Sequence, residues 1–486
     1  KRDLFQTEGA QLKETLKTQL RIDADWIVRN GYDLSLKDET QLTALTEQIL
    51  IDPVTDTFSD QLPQMRYTLA TEYLPGQYDQ RADSARQCLA IVADDEEALI
   101  RSFRIVQTDA ELTQQQQEAV EAYLINPIET RKKNLDELKF TEDTRIDPVP
   151  VVEGFTEKDE QAILSYLQEE GYSMTVADML SVRDYFRDTE HRDPTLTELR
   201  VLDTYWSDHC RHTTFETELT AIEVLDGPYK EELNEALEAY RAARKEIGRG
   251  EKPVTLMDMA TLYAKVLRAR GGLQDLEVSE EINAASIRIE VEKDGAREPW
   301  LLQFKNETHN HPTEIEPFGG ASTCVGGAIR DPLSGRAYVY QAMRITGAAD
   351  ITAPLDQTLP GKLPQSKISK TAAQGNASYG NQIGLTASYV EELYHPGYVA
   401  KRMELGAVVG ASPADHVIRG IPEPGDTVLL IGGKTGRDGV GGATGSSQEH
   451  TEDSAEESSS EVQKGCAAEE RKIVRLYKNK EAARLI

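Results

Sequence analysis

The segment from residue 305 to residue 331 constrains this chain most, because a short charged run is followed at once by a glycine-rich stretch. Residues 305–312 read Lys-Asn-Glu-Thr-His-Asn-His-Pro, and an Arg-Asp pair closes the segment. If the strand predicted just before the run continues into it, alternate side chains share one face until the proline ends the strand. That face carries Lys305, Glu307, His309 and His311. A cation, a carboxylate and two imidazoles together indicate a site for a metal-bound polyphosphate.

Composition excludes several classes of function. A formal net charge of -30 argues against an electrostatic grip on nucleic acid or on an anionic membrane. The sequence contains no apolar run long enough to span a bilayer, and its first residues lack the apolar core of a signal peptide. The four cysteines are too scattered for a disulfide framework. The cytoplasm is therefore the expected compartment, with neither nucleic acid nor membrane as a partner.

A length of 486 residues predicts about three domains. Strand-like and helical stretches alternate at first, helical patterns follow, and strands then return, with a Pro-Gly pair at 424–425 marking the start of a new unit. The predicted units are 1–140, 150–220, 221–423 and 424–486. Helices are predicted over 111–124, 157–171, 175–186, 195–206, 229–247, 257–270 and 469–486. Strands are predicted over 25–28, 287–291, 301–305, 337–343 and 427–431.

The glycines after the charged run allow two interpretations. They could form a nest of backbone N–H groups around phosphate, or they could serve close packing between elements. Gly433-Lys434-Thr435 is not a P-loop, since that motif needs glycine where Val428 stands.

The ionisable residues allow alternatives as well. Glu307 and Asp331 are suited to Mg²⁺, or they could form ion pairs with Lys305 and Arg330. His309 and His311 could bind zinc, although a general-base or electrostatic role fits the missing further ligands better.

A second cluster, residues 206–212, contains two histidines, a cysteine and two other charged side chains, and could be an active-site loop or a capped helix end. No cysteine has the surroundings of a glutaminase nucleophile.

Two stretches of the sequence resemble a known protein family. Residues 205–212 (Tyr-Trp-Ser-Asp-His-Cys-Arg-His) and 304–312 (Phe-Lys-Asn-Glu-Thr-His-Asn-His-Pro) closely resemble phosphoribosylformylglycinamidine synthase of the large, single-chain type. The resemblance continues at 73–82, 316–320, 326–331, 378–384, 394–398 and 435–439.

The resemblance implies an α+β multidomain fold. An α/β amino-terminal domain similar to the family's separate small subunit comes first, and a helical linker domain follows it. An ATP-binding domain similar to aminoimidazole ribonucleotide synthetase then leads into the opening of its partner domain. The implied reaction converts formylglycinamide ribonucleotide to formylglycinamidine ribonucleotide, with ATP, Mg²⁺ and ammonia from glutamine, in purine biosynthesis.

The resemblance also assigns roles to residues. It implies His209 and His309 as catalytic residues, and Glu307 and Asp331 as Mg²⁺ ligands. The implied ATP-binding residues are Lys305, His212, Gly320, Gly326 and Gly327. The implied substrate-binding residues are Thr308, Asn310, His311, Arg330 and Gln463. Cys466 interrupts the family's pattern and receives no role.

We expect the chain to be part of a longer protein, whose second half and glutaminase domain would complete catalysis. The alternative is a module of the same assembly that binds nucleotide without turnover. A zinc hydrolase built on the two histidines is a third hypothesis.

Overall fold

We describe the protein from a computed structural model. The structure describes residues 1–93, 97–138, 140, 148–206, 212–280, 284–433, 439, 444–446, 458–479 and 481–482. Among these residues, no helix has both the length and the apolar character needed to span a lipid bilayer.

The first unit is a four-stranded sheet with helices packed on it. Its helices are α1 (Thr7–Leu20), α2 (Glu39–Ala44), α3 (Gln80–Ala93) and α4 (Gln114–Leu124). Its strands are β1 (Ile27–Ser35), β2 (Tyr67–Tyr73), β3 (Leu99–Thr108) and β4 (Thr130–Lys132), in the order β1-β3-β2-β4. Every pairing is antiparallel, so this unit is α+β rather than the predicted α/β. Leu16, Trp26 and Leu69 belong to its main core.

In the middle of the chain, the described residues form mainly helices. They are α5 (Glu160–Glu170), α6 (Val176–Tyr185), α7 (Leu196–Trp206) and α8 (His212–Glu216), followed by α9 (Lys230–Glu246) and α10 (Leu256–Ala269). The helices predicted here are confirmed. At the start of α7, the Thr195 N–H donates to the Glu198 carboxylate at 2.8 Å, and the Glu198 N–H donates to the Thr195 hydroxyl at 3.2 Å. This reciprocal pair is a capping box.

A five-stranded sheet forms the framework of the third part. Its strands are β5 (Ala285–Lys293), β6 (Ala296–Thr308), β7 (Tyr338–Ala348), β8 (Ala387–Tyr394) and β9 (Met403–Pro413), in the order β5-β6-β9-β7-β8. Only the β7–β8 pairing is parallel. The helices are α11 (Asn310–Ile315), α12 (Pro317–Ser334), α13 (Gln365–Ile383) and α14 (Ala467–Lys478). Helix α12 packs on β6 and β9 and also contacts α13.

Two predictions about strands were wrong. Strand β6 ends at Thr308 and the chain turns directly into α11, so His309 and His311 leave the face that Lys305 and Glu307 share. Pro312 does not end a strand; it lies in the first turn of α11, where an N–H has no partner within the helix. Residues 427–431 form no strand, and Leu430 is fully exposed.

A segment near the end of the chain connects the first unit to α12. We call residues 458–466 the strap. Gln77 donates to the carbonyl of Ser459 at 2.8 Å, and the Lys464 ammonium lies 2.9 Å from the Glu129 carboxylate. A small apolar cluster formed by Ile128, Ile315 and Val462 joins the same three parts of the chain. The strap therefore lies between the first unit and the end of α11, and its Gln463 carbonyl lies close to Gly319 of α12.

Candidate functional site

Lys305 is the electrostatic centre of the candidate site. Its ammonium lies 2.7 Å from the Asp331 carboxylate and 3.3 Å from the Glu307 carboxylate. The side chains of Glu307 and Asp331 are 33% and 36% exposed, so a ligand can approach both. Strand alternation puts Lys305 and Glu307 on one face, and α12 brings Asp331 to them. The structure thus brings together three residues that the sequence predicted to lie in one site.

The neighbouring carboxylates favour the ionised form of Lys305. Burial lowers the pKa of Lys305, but the hydrogen bond and charge of Asp331, with the charge of Glu307, outweigh it, so the net pKa is raised. The two carboxylates reach the same ammonium, so they line one small region of the site. Mg²⁺ prefers one or two carboxylates together with phosphate oxygens and water. The residues present therefore fit a magnesium ion that accompanies a polyphosphate.

His309 stands at the junction of β6 and α11, beside this cluster. Burial lowers the pKa of its imidazole to about 4, although a hydrogen bond with Gln463 opposes the shift. The Nε2 atom is buried, and no hydrogen-bond partner for it is found in the described part of the chain. A neutral imidazole at neutral pH can accept a proton. The imidazole is therefore neutral at neutral pH, and the proton-acceptor role expected for His309 stays a prediction.

Neighbouring elements hold the turn after β6 in place. The Asn310 side-chain carbonyl accepts the Glu404 N–H at 2.8 Å, and the His309 N–H donates to the Glu404 carbonyl at 2.8 Å. Thr308, the last residue of β6, pairs with Leu405 of β9. Strand β9 thereby fixes the first residues after β6.

Beneath this turn lies a buried ionic network. The fully buried Arg402 side chain contacts the carboxylates of Glu404 at 3.1 Å and Glu392 at 2.5 Å, and donates to Ser369 at 2.7 Å. Glu404 also receives a two-pronged contact from Arg344, at 2.6 and 3.0 Å. The four charges balance, which is the condition for burying ions without a large penalty.

His311 points away from the lysine cluster. Its Nε2 atom lies 2.5 Å from the Glu461 carboxylate, whose other oxygen accepts the Gly445 N–H at 3.1 Å. The zinc hypothesis requires both histidine rings on one ion, yet this ring contacts the strap. Among the residues that the structure describes, no group of three or more His, Cys, Asp and Glu side chains is arranged to hold a metal ion.

The glycines form part of helix α12 and do not form a phosphate-binding loop. Gly320, Gly326 and Gly327 all lie inside α12, and the Gly320 N–H donates to the Glu316 carbonyl at 2.9 Å. A Cβ atom on Gly320 would lie 2.4 Å from the Thr313 backbone, so this glycine lets α11 approach α12. The predicted nest of free N–H groups is therefore wrong for this stretch. The assignment of these glycines to ATP binding stays a prediction.

The N-terminus of α12 is already occupied. The buried Glu316 carboxylate accepts the N–H groups of Phe318 at 3.0 Å and Gly319 at 2.7 Å. Burial raises the pKa of Glu316 to about 8, with a further contribution from the charge of Glu129. An anionic ligand therefore finds no open helix end here.

Arg330 has a partner that the sequence did not reveal. Its guanidinium lies 3.3 Å from the Glu470 carboxylate, which also accepts a hydrogen bond from the Tyr379 hydroxyl. These residues are 140 and 91 positions from Glu470, so no local pattern could have indicated the contact. Tyr379 lies in one of the family-like stretches, which was its only signal.

Two predicted site residues cannot be placed. His209 lies outside the described residues. The backbone of His212 begins α8, but its side chain lies outside the described part of the structure. Their predicted roles remain untested.

Comparison with known proteins bears first on the helical middle of the chain. Residues 163–212 match the model of the formylglycinamide ribonucleotide amidotransferase linker domain. They begin inside α5, cover α6 and α7, and end at the first residue of α8. This chain is similar to phosphoribosylformylglycinamidine synthases. The resemblance seen in the sequence is confirmed.

Curated synthase subunits are similar to parts of the chain. The PurL subunit of Ignicoccus hospitalis is 30% identical over 221 residues, which cover 42% of this chain and 29% of that protein. The PurL subunit of Methanopyrus kandleri is 28% identical over 295 residues, covering 60% of this chain and 32% of the relative. The chain thus spans less than a third of the length of these synthase subunits.

Solved synthase structures give weak superpositions. Thermotoga maritima PurL complexed with FGAR has a TM-score of 0.37 and 21% identity, covering 60% of this chain and 36% of that one. The same protein complexed with ATP has a TM-score of 0.30 and 22% identity, covering 50% of this chain and 35% of that one.

Proposed function

We propose that this chain carries the ATP and amide-substrate site of a phosphoribosylformylglycinamidine synthase of the large, single-chain type. The substrates are formylglycinamide ribonucleotide, ATP and ammonia derived from glutamine, and the product is formylglycinamidine ribonucleotide. The arrangement of Lys305 between Glu307 and Asp331, directly before a neutral His309, carries the proposal. Kinship with the synthase subunits supports it independently.

In the proposed reaction, the terminal phosphoryl group of ATP passes to the amide oxygen of the substrate. The new O–P bond forms as the bond to ADP breaks. Ammonia then attacks the carbon of the phosphorylated amide, phosphate leaves, and the attacking nitrogen loses a proton. Phosphoryl transfer depends chiefly on positioning and charge neutralisation, so the protein needs few covalent contributions of its own.

Each residue of the cluster has a task in this scheme. Lys305 contacts the phosphates of ATP, and Glu307 and Asp331 would hold Mg²⁺, which would neutralise charge on the phosphate oxygens. His309 accepts the proton from the incoming ammonia through its buried Nε2 atom. The residues that the resemblance assigns to the amide substrate are Thr308, Asn310, His311, Arg330 and Gln463.

The test is ADP release from Mg-ATP with formylglycinamide ribonucleotide and ammonium. It is run on this chain and on a chain extended to the length of its relatives. Release that depends on the substrate supports the synthase function. ATP binding without such release in either chain would contradict it and favour the alternative, a nucleotide-binding module of the same assembly.

The roles of Lys305 and Glu307 are tested separately by calorimetry with Mg-ATP. Hydrogen bonds to charged groups contribute about 1.5–3 kcal/mol, so we expect Lys305→Ala and Glu307→Ala each to weaken binding by about 10-fold to 150-fold. Lys293→Ala is the control, because Lys293 is 58% exposed on the same sheet and lies 3.9 Å from its carboxylate partner. Unchanged affinity in both site variants would show that the phosphates bind elsewhere.

A further inference from the structure

Arg330 is only partly used by its own protein. It projects from α12 with half of its side chain exposed, and Nη1 lies 3.3 Å from the Glu470 carboxylate. Within the described part of the chain, Nε and Nη2 donate no hydrogen bond. One edge of the guanidinium is thus anchored, and its remaining donors are available to an anionic ligand.

The anchor is a deeply buried carboxylate. Glu470 lies in the first turn of α14 with a side-chain exposure of 4%, and its Oε2 atom receives both Arg330 and the Tyr379 hydroxyl. Burial raises the pKa of Glu470 to about 7, against the opposing effects of Tyr379 and Arg330. A carboxylate buried to this extent is costly unless its partners are fixed. Packing alone therefore does not explain why a glutamate stands here.

The surroundings are shaped around this contact. A Cβ atom on Gly326 would lie 2.6 Å from the Tyr379 hydroxyl and 3.1 Å from Nη1 of Arg330. A Cβ atom on Gly465 would lie 3.0 Å from the Tyr379 ring. Two glycines thus make room for the tyrosine that shares the carboxylate with Arg330.

We propose that Glu470 is a positioning residue that holds the Arg330 guanidinium toward the anionic amide substrate, with Tyr379 fixing the carboxylate. The inference rests on the proposed function and deepens it, because it adds to the substrate side of the site two residues to which the resemblance gave no role. In the described part of the chain, the ammonium of Lys305 pairs with Glu307 and Asp331, and Glu470 pairs with Arg330 instead. The expected consequence is selective: a substitution of Glu470 weakens binding of the amide substrate and leaves binding of the nucleotide unchanged.

The test compares Glu470→Gln with Glu469→Gln by calorimetry. Glu469 is the adjacent residue on α14, and its carboxylate pairs with the exposed Lys472 at 2.6 Å, so the control makes the same change of charge one position away. We expect Glu470→Gln to raise the dissociation constant of formylglycinamide ribonucleotide about 10-fold, which corresponds to about 1.4 kcal/mol. We expect the dissociation constant of Mg-ATP to stay within about twofold, because Lys305 pairs with Glu307 and Asp331 and not with Glu470. Glu469→Gln changes neither.

A double-mutant cycle separates positioning from a general structural role. Because Glu470 acts through Arg330, Glu470→Gln added to Arg330→Met causes little further loss of substrate affinity. A structural role predicts that the two losses multiply and that Mg-ATP affinity falls too. Tyr379→Phe gives a second route if Glu470→Gln folds poorly, with an expected loss of about 3-fold in substrate affinity alone.

The outcomes are distinguishable. Substrate binding by the parent chain, with unchanged affinity in Glu470→Gln and Tyr379→Phe, overturns this inference alone. Multiplicative losses in the cycle overturn it as well. No substrate binding by the parent chain overturns the proposed function and this inference with it.

Discussion

Replacing Arg402 by methionine tests whether the buried ionic network supports the turn that carries His309. Methionine has a similar length and no charge, so the substitution removes one positive charge from a balanced set of four. Glu404 keeps its contact with Arg344, whereas Glu392 keeps only the hydroxyls of Thr346 and Tyr394, each at 2.9 Å.

The magnitude follows from these remaining contacts. Removing one partner of a buried ion pair costs about 3–5 kcal/mol, because the other charge stays buried without compensation. Since Glu392 is 20% exposed and Glu404 remains paired with Arg344, we expect the lower end, about 3 kcal/mol. The loss falls on β9 and the strands beside it, since Arg402 and Glu404 flank the start of that strand.

Hydrogen exchange measured by mass spectrometry reports such a local loss. A decrease of about 3 kcal/mol in the local free energy of opening accelerates exchange of the β9 amides about 150-fold, provided that the opening equilibrium sets the exchange rate. Arg297→Met is the control, because Arg297 is 74% exposed and pairs with the exposed Glu290 in the same sheet. Combining Arg402→Met with Glu392→Gln restores charge balance and recovers part of the loss. Exchange in β9 that changes less than about threefold would refute the argument that charge balance sustains this network.

Three further predictions concern stability. Gly320→Ala destabilises the protein by about 2 kcal/mol or more in urea unfolding, because the added Cβ would meet the backbone of α11. Gly327→Ala is the control and is neutral or stabilising by up to about 1 kcal/mol, since its Cβ would meet the Arg330 guanidinium at 3.5 Å. Equal effects of the two substitutions would contradict the packing role of Gly320. Because the pKa of Glu316 is raised, its contribution to the free energy of unfolding is fully present below about pH 4.5 and is lost as the pH rises toward 8. Over that range the stability of Glu316→Gln therefore increases relative to the parent by at most about 1.4 kcal/mol per pH unit. A stability difference that does not change with pH would exclude a raised pKa. Thr195→Ala, which breaks the capping box of α7, costs about 1 kcal/mol in thermal unfolding, while Thr204→Ala near the end of the same helix costs less.

Local patterns predicted local structure well. The capping box of Thr195 and Glu198 depends on residues three positions apart, and it forms as predicted. Lys305 and Glu307 share a face because strand alternation is a property of neighbouring residues. The helical middle of the chain was predicted for the same reason.

Features that depend on distant partners were predicted poorly. The end of β6 at Thr308 coincides with the contact between Asn310 and the Glu404 N–H, which is 94 positions away. The apolar run at 427–431 has the composition of a buried strand, but neighbouring strands decide whether such a run pairs. Glu470 lies in a helix whose local pattern gives no indication of Arg330. The predicted roles that came only from family resemblance still await the measurements above.

The strap has a consequence for how the protein is made. Gln77 and Ser459 are in contact but 382 residues apart. At about 5–20 residues per second, a ribosome needs about 20–80 s to synthesise the chain between them. During that time the first unit has already been synthesised, yet the surface around Tyr73 and Glu129 that will receive Lys464 has no partner. Early folding of the first unit must therefore tolerate a half-finished interface, which is completed only when a segment 382 residues further along the chain has been made.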